Sequence, residues 1–263
     1  MSDVRPFATA DDVADAAVFL FVTLAEKAVR KRGFFSCALS GGRTPLSGYR
    51  ILASPQISSK VDWPRVHVFW GDERCVPEGH PDRNDEAALA ALLRKVDMPS
   101  KNIHRIPATE PEAATRYEED LLGTFEEISR SSPPLRSSLF LDGVPRFDLI
   151  LLGLGEDGHT ASLFPGSPAL DEKSRLVVRV DGAPKPPPAR VTFTLPLLGA
   201  ARHVVFLVTG KDKNAALRRV LNGDASLPAS RVVPRDGTLA FLADSAALTG
   251  EDGTGLESPG RGA

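Results

Sequence analysis

The chain predicts an α/β domain in three layers, with helices on both faces of a mostly parallel sheet. Three observations lead there. Short apolar runs alternate with helical patterns along most of the 263 residues. One run, FDLILLGLG (147–155), is nearly continuous in apolar residues, as a central strand covered on both faces must be. Polar, glycine-containing motifs follow the strands, where open α/β sheets bind their ligands.

From near Ala10, residues Val13, Ala16, Ala17, Leu20, Leu24 and Ala28 recur at helical spacing, and Gly33 stands where a helix stop belongs. FFSCAL (34–39) reads as a buried strand that runs into SGGRTP, which opens a helix through Leu52. RVHVFW (65–70) is the next strand and ends at GDER; helical patterns follow at 85–96 and 110–129. The Ser/Pro-rich stretch 129–138 lacks periodicity and reads as a surface loop. Beyond the central strand, RLVVRV (175–180), RVTFTL (190–195) and HVVFLVT (203–209) are strands, and PKPPP (184–188) is a stiff extended connection. KDKNAALRRVLN (211–222) is a helix and LAFLAD (239–244) the last strand. Residues 249–263 are glycine-rich and nearly devoid of apolar side chains, so they read as a disordered tail after a single domain over 1–248.

Composition narrows the function. Hydrophobic residues make up 42% and charged residues 25%, a globular balance. With 32 basic and 34 acidic residues the formal charge is −2, without the basic excess of a nucleic-acid binder. Two cysteines cannot build a disulfide framework, and their spacing matches no zinc motif. No apolar run reaches 18 residues and the N-terminus lacks the order of a secretion signal, so a cytoplasmic protein without a membrane partner is expected. A monomer fits, although the sequence does not set the oligomeric state.

Three strand-end motifs carry the chemistry. Ser40-Gly41-Gly42-Arg43-Thr44-Pro45 would place a helix N-terminus after a strand, with Thr44 as N-cap and Pro45 at the first helical position. Free amides there favour a phosphate. The motif is neither a GxGxxG fingerprint nor a Walker A loop, so it gives no case for a dinucleotide or ATP. The second motif is Gly71-Asp72-Glu73-Arg74, which by itself reads as a solvated strand end. The third, Gly153-Leu154-Gly155-Glu156-Asp157-Gly158-His159-Thr160, puts an imidazole at the mouth of the sheet with an aspartate two residues before it. An imidazole titrates near neutrality and can serve as a general base. His67 and His203 read as structural, and His80 and His104 sit in polar connections without a partner motif. No two histidines have metal-ligand spacing.

At these residues the chain resembles the 6-phosphogluconolactonase family, within the group that includes glucosamine-6-phosphate isomerase (deaminase). The matching text is LSGGRTP (39–45), WGDERCVP (70–77), GLGEDGHTASLFPG (153–166), RVTFTLP (190–196) and GKDKNAAL (210–217), in family order. The resemblance implies a Rossmann-like, sugar-phosphate isomerase-like fold. It also separates the branches: deaminases carry a glutamate five residues after the loop histidine, where this chain has Phe164, and a DEY string where it has Asp72-Glu73-Arg74. One departure is PDRND (81–85), in which Arg83 takes the place of a serine common in the lactonases while Asn84 is retained.

The resemblance implies hydrolysis of 6-phospho-D-glucono-1,5-lactone to 6-phosphogluconate. On this reading Gly41, Gly42 and the helix start near Thr44 receive the phosphate, with Ser40, Arg43 and Gly155 on the binding side. By resemblance, Arg190 and Lys213 supply positive charge. His159 takes the proton of the attacking water, and either Asp157 or Asp72 orients it. Arg74 stabilises negative charge, on the oxyanion or on the phosphate. An activated ester needs neither cofactor nor metal. Ser162 has no nucleophile-elbow context and Cys75 no neighbouring base, so both read as spectators. The alternatives are the amino-sugar phosphate deaminase, against which Phe164 speaks, and a catalytically silent phosphosugar-binding regulator.

Overall fold

A computed structural model of the chain describes residues 3–131 and 136–249. The tail expected from residue 249 lies outside them from 250 onward. The chain opens with a strand, β1 (Asp3–Phe7), which the sequence reading did not assign. Its DVRPF carries two charges and a proline, a pattern suited to an edge strand that pairs on one side only. Helix α1 (Ala10–Arg32) follows, closed at its start by a capping box in which Thr9 and Asp12 exchange hydrogen bonds, and at its end by Gly33 in the left-handed region.

Next come β2 (Phe35–Leu39), α2 (Arg43–Leu52), the single turn α3 (Pro55–Ser58), β3 (Val66–Trp70) and β4 (Asp72–Arg74). Helix α4 (Asn84–Ala88) continues as a π-helical turn over Leu89–Leu93, and α5 (Ala113–Ser131) is the second long helix. The loop expected over 129–138 is helical at both described ends: α5 runs to Ser131, and α6 (Arg136–Leu139) leads into a small hairpin of β5 (Phe140–Leu141) and β6 (Val144–Pro145). Then come β7 (Leu149–Gly153), β8 (Val177–Val180), β9 (Arg190–Phe193), α7 (Leu195–Ala200), β10 (His203–Val208), α8 (Asn214–Leu221), β11 (Thr238–Asp244) and α9 (Ser245–Leu248).

Six strands form one parallel sheet in the order β1-β11-β10-β7-β2-β3. Its layers follow from strand alternation. Phe35 of β2 packs edge-on against Phe21 of α1, with ring centroids 5.1 Å apart. Phe69 pairs in register with Ala38, an odd number of steps from Phe35, so it points to the other face. There it meets Phe125 of α5. Helices α1 and α5 therefore cover opposite faces, and β2 is buried along its whole length.

GDER is not a solvated end. Asp72–Arg74 is itself a strand in a second, antiparallel sheet, β4-β9-β8, and Asp72 and Glu73 are buried. Tertiary pairing with β9 gives these charged residues partners that local sequence does not show. Among the described residues no helix is long and apolar enough to cross a membrane.

Candidate active site

The order of strands in the parallel sheet reverses between β2 and β7: β2 leads to β3 on one side, and β7 leads to β10 and β11 on the other. Chains leaving the two strands diverge there and open a crevice. A cavity of about 400 Å³ lies at this point, lined by residues that follow β2, β3, β7 and β10.

Eleven of the twelve residues singled out from sequence line that cavity: Ser40, Gly41, Gly42, Arg43, Thr44, Asp72, Arg74, Gly155, His159, Arg190 and Lys213. The twelfth, Asp157, stands behind His159. Its Oδ1 lies 2.5 Å from His159 Nδ1 and also accepts the His159 backbone amide at 3.2 Å. With Nδ1 facing a carboxylate, Nε2 is the nitrogen left to accept a proton. Burial lowers the pKa of the imidazole, while the hydrogen bond and charge of Asp157 pull it back up. The Asp157 carboxyl feels a burial penalty too, but the bond to His159 holds it below the usual carboxylate range.

A tight backbone turn builds this pair. The Gly155 amide donates to His159 O at 2.8 Å, and Gly158 N to Gly155 O at 2.9 Å. A Cβ on Gly155 would lie 1.9 Å from His159 Nδ1 and 2.6 Å from Asp157 Oδ1. Gly155→Ala is therefore expected to push the imidazole off the carboxylate and lower kcat by about 10²-fold or more, with little change in melting temperature because the turn is at the surface of the cavity. Steady-state kinetics beside a thermal melt checks this; wild-type turnover would mean that the pair is not needed.

Of the two aspartates proposed to orient His159, Asp157 makes the contact. Asp72 is engaged elsewhere: its Oδ2 accepts Ser162 Oγ at 2.6 Å, and Asn84 Nδ2 reaches its backbone oxygen at 3.0 Å. Ser162 is fully buried in this bond. Phe164 packs on His159 with ring centroids 4.7 Å apart, and the Arg190 guanidinium lies 5.8 Å from the centre of the same ring.

On the other side of the cavity, the N-cap of α2 is Gly42, not Thr44. At Gly42 φ is 111°, a left-handed region that glycine enters without a Cβ clash, so the chain turns into the helix two residues earlier than expected. Thr44 Oγ1 instead meets Thr209 Oγ1 at 2.6 Å, tying α2 to the end of β10. No side chain caps α2, so its first-turn amides stay available to an anion. Tyr49 holds the preceding turn: its hydroxyl donates to Ser40 O at 2.8 Å and accepts Ser40 N at 3.1 Å. The Ser40 hydroxyl is buried without a partner among the described residues.

Cations line the same cavity. Arg190 is buried and donates to the carbonyls of Lys185, Pro186 and Pro187 at 3.1–3.3 Å; the proline run exposes carbonyls without competing amides. Arg74 donates to Asp82 O at 2.5 Å, and Lys213 pairs with Asp212 at 2.7 Å and Glu156 at 3.5 Å. Among the lining residues that sequence reasoning did not single out, three have polar side chains: Asn84, Lys185 and Thr209. Thr209 could have been found as the polar residue ending a strand; Lys185, between prolines, gave no signal.

Behind the cavity wall lies a buried polar network. Glu73 accepts the amides of Arg74, Asn84 and Asp85 at 2.8–2.9 Å. Burial pushes its carboxyl up to about 7, against those three donors. Arg83, the departure from the family text, is buried and grips both oxygens of Asp85 at 2.8 and 2.6 Å, and Arg105 adds a bond to Asp85 at 2.9 Å. The other four histidines also have partners: His80 Nδ1 accepts Asp82 N at 3.2 Å, His203 Nδ1 lies 2.7 Å from Thr238 Oγ1, and His104 is buried, lies 3.0 Å from Asp120 and 3.2 Å from His67, and stacks on Phe69, so it is a core residue.

Comparison with known proteins agrees with this geometry. Residues 8–241 match the family model described as glucosamine-6-phosphate isomerases/6-phosphogluconolactonase. The chain is 42% identical over 240 residues to the 6-phosphogluconolactonase of Synechocystis, covering 89% of this chain and 91% of that one. It is 38% identical over 248 residues to the 6-phosphogluconolactonase of Mycobacterium tuberculosis, covering 94% and 97%. The crystal structure of 6-phosphogluconolactonase from Thermotoga maritima superposes with a TM-score of 0.75 at 31% identity, covering 92% of this chain and 100% of that chain. Motif text, strand order and full-length similarity converge: this chain belongs to the glucosamine-6-phosphate isomerase/6-phosphogluconolactonase family and, within it, to the 6-phosphogluconolactonases.

Proposed function

We propose that this enzyme hydrolyses 6-phospho-D-glucono-1,5-lactone to 6-phosphogluconate with His159 as general base. The observation that carries the reading is the His159–Asp157 pair opening on the same cavity as the uncapped start of α2. The phosphate rests on the α2 amides with Arg43, Arg190 and Lys213 around it, where charge-assisted bonds are the strong class. The lactone carbonyl then faces His159. Nε2 takes a proton from water as its oxygen attacks C1, the C1–O5 bond breaks, and the imidazolium returns the proton to the leaving ring oxygen. Asp157 holds the tautomer and stabilises the imidazolium. Arg74 faces the developing oxyanion. Ser162, locked on Asp72, has no route to the substrate, which favours water over a covalent serine path. Phe164 against His159 argues against the deaminase alternative, since a phenyl ring moves no proton.

The test is hydrolysis of freshly generated lactone with the spontaneous rate subtracted. No acceleration at any pH between about 5 and 8, the range histidine governs, would overturn the reading. The same assay tests Asp157. Neutral His159 is the active form, so kcat/KM rises with pH through its pKa, and burial sets that limb below the ordinary value of 6.5. Asp157 raises the His159 pKa, so Asp157→Asn is expected to move the acid limb further down and to lower the plateau by about 10²-fold or more. Comparing profiles of variant and wild type cancels ionisation of the substrate phosphate. A limb that moves to higher pH would assign the orienting role elsewhere.

A further inference from the structure

A second recess, of about 370 Å³, lies at the opposite end of the parallel sheet, where α1 ends and β7, β10 and β11 begin. Five basic side chains line it, Lys27, Lys31, Arg32, Arg146 and Arg202, against two carboxylates, Asp148 and Asp236. Two of these cations are held inside the recess, while Lys27 and Lys31 stand exposed at its rim. The Arg32 side chain is 8% exposed and Arg146 12%. Arg32 and Arg202 both turn to Oδ1 of Asp148, whose other oxygen is taken by the amide and hydroxyl of Ser36 at 3.0 and 3.3 Å. One carboxylate thus serves two guanidinium groups. Arg146 pairs with Asp236 at 2.8 Å. The Nε groups of Arg32 and Arg146 are buried and make no hydrogen bond among the described residues. Neither Lys27 nor Lys31 makes an ion pair among those residues.

A buried N–H without an acceptor is costly, more so on a charged group, and a cluster of like charges adds repulsion. An anion of two or more charges with several acceptor oxygens, seated in the recess, offsets that repulsion. The β10 start supplies a reporter. His203 Nδ1 lies 2.7 Å from the Thr238 hydroxyl. Burial, then the charges of Lys27, Arg202, Arg32 and Arg146, hold its imidazole below the ordinary value.

We propose that this recess binds a phosphate-bearing small molecule, its dianionic group held by Arg32 and Arg146 and screened by Lys27 and Lys31. The site is separate from the catalytic cavity, with which it shares no lining residue, and stands whether or not the lactone is the substrate. An anion placed among these cations favours the imidazolium form of His203, so occupancy raises its titration midpoint.

The test uses the full-length protein and the Cε1–H resonance of His203, assigned by its loss in His203→Gln. Inorganic phosphate, glucose 6-phosphate and ATP are titrated separately against sodium chloride at matched ionic strength. A saturable shift with an upward midpoint is expected for at least one phosphate compound. Tighter binding of an ester than of inorganic phosphate identifies an organic phosphate; the reverse order identifies free phosphate, and both support the site. Lys27→Gln/Lys31→Gln/Arg146→Gln, which leaves the Arg32–Asp148 pair in place, is expected to weaken binding by about tenfold or more with lactone hydrolysis unchanged. The proposal is overturned by a response no larger than chloride gives, by unchanged affinity in the triple variant, or by loss of the response in Lys213→Met, which would trace it to the catalytic cavity.

Discussion

His159→Ala is expected to lower kcat by about 10²–10⁴-fold, the range a positioned general base supplies, while 6-phosphogluconate still binds. The two outcomes separate because the proposed phosphate contacts and the proposed base lie on different strands of the switch point. The α2 amides, Arg43 and Thr44 follow β2, whereas His159 follows β7. Removing the imidazole leaves the anion contacts in place. It also removes a ring that packs on Phe164, so a modest loss of stability accompanies the kinetic effect and a melt must show that the variant is folded at the assay temperature. Product affinity measured by calorimetry should stay within a few-fold of wild type. Wild-type turnover would exclude His159 as base; lost binding together with lost turnover would mean that the histidine holds substrate and does not act on it.

The largest expected effect on stability is at Asp85. Its carboxylate meets Arg83 through two bonds and Arg105 through a third, with the Arg83 and Asp85 side chains each 1% exposed. Breaking such a pair by removing one partner costs about 3–5 kcal/mol, because a charge is left buried without compensation. Asp85→Asn is therefore expected to lower the melting temperature by about 6–20 °C for a chain of this size. A burial penalty acts on the Asp85 carboxyl, yet the bonds from Arg83 and Arg105 hold its pKa below the ordinary 3.8. The sign follows: the native state holds the proton less tightly than the unfolded chain, so the contribution is present above 3.8 and is lost as pH falls through the lower native value. Replacing both partners, Arg83→Met with Asp85→Leu, should recover part of the loss, since an apolar pair of similar volume carries no unpaired charge. A double variant less stable than Asp85→Asn would show that the ion pair is not the source. The consequence reaches the site, because this network carries Asn84, which reaches the backbone of Asp72.

Much of the site was legible because strand-end motifs in an open α/β sheet converge by topology. Once 34–39, 65–70 and 147–155 are strands in one parallel sheet, the residues after them must share an edge. Phe164 was legible for another reason: a proton-transfer position is lost outright when the residue there has no titratable group. The burial of GDER and the partners of Arg83 and His104 were not legible. Each depends on a side-chain direction that only the fold sets: β9 pairs with β4, Arg83 turns inward onto Asp85 and Ile106 O, and Asp120 reaches His104.

The alternation of strands and helices, the central strand, the motif text that marks the family and the placement of His159 two residues after an aspartate are all written in the linear chain. Those features rest on local periodicity and on residue chemistry that neighbours in the chain can express. Which aspartate faces His159, where α2 begins, that Lys185 joins the cavity and that Arg83 is buried emerge with the folded chain. Side-chain direction, desolvation and pairing are set by the groups that folding brings near from distant parts of the chain, and a one-dimensional pattern carries no record of those distances.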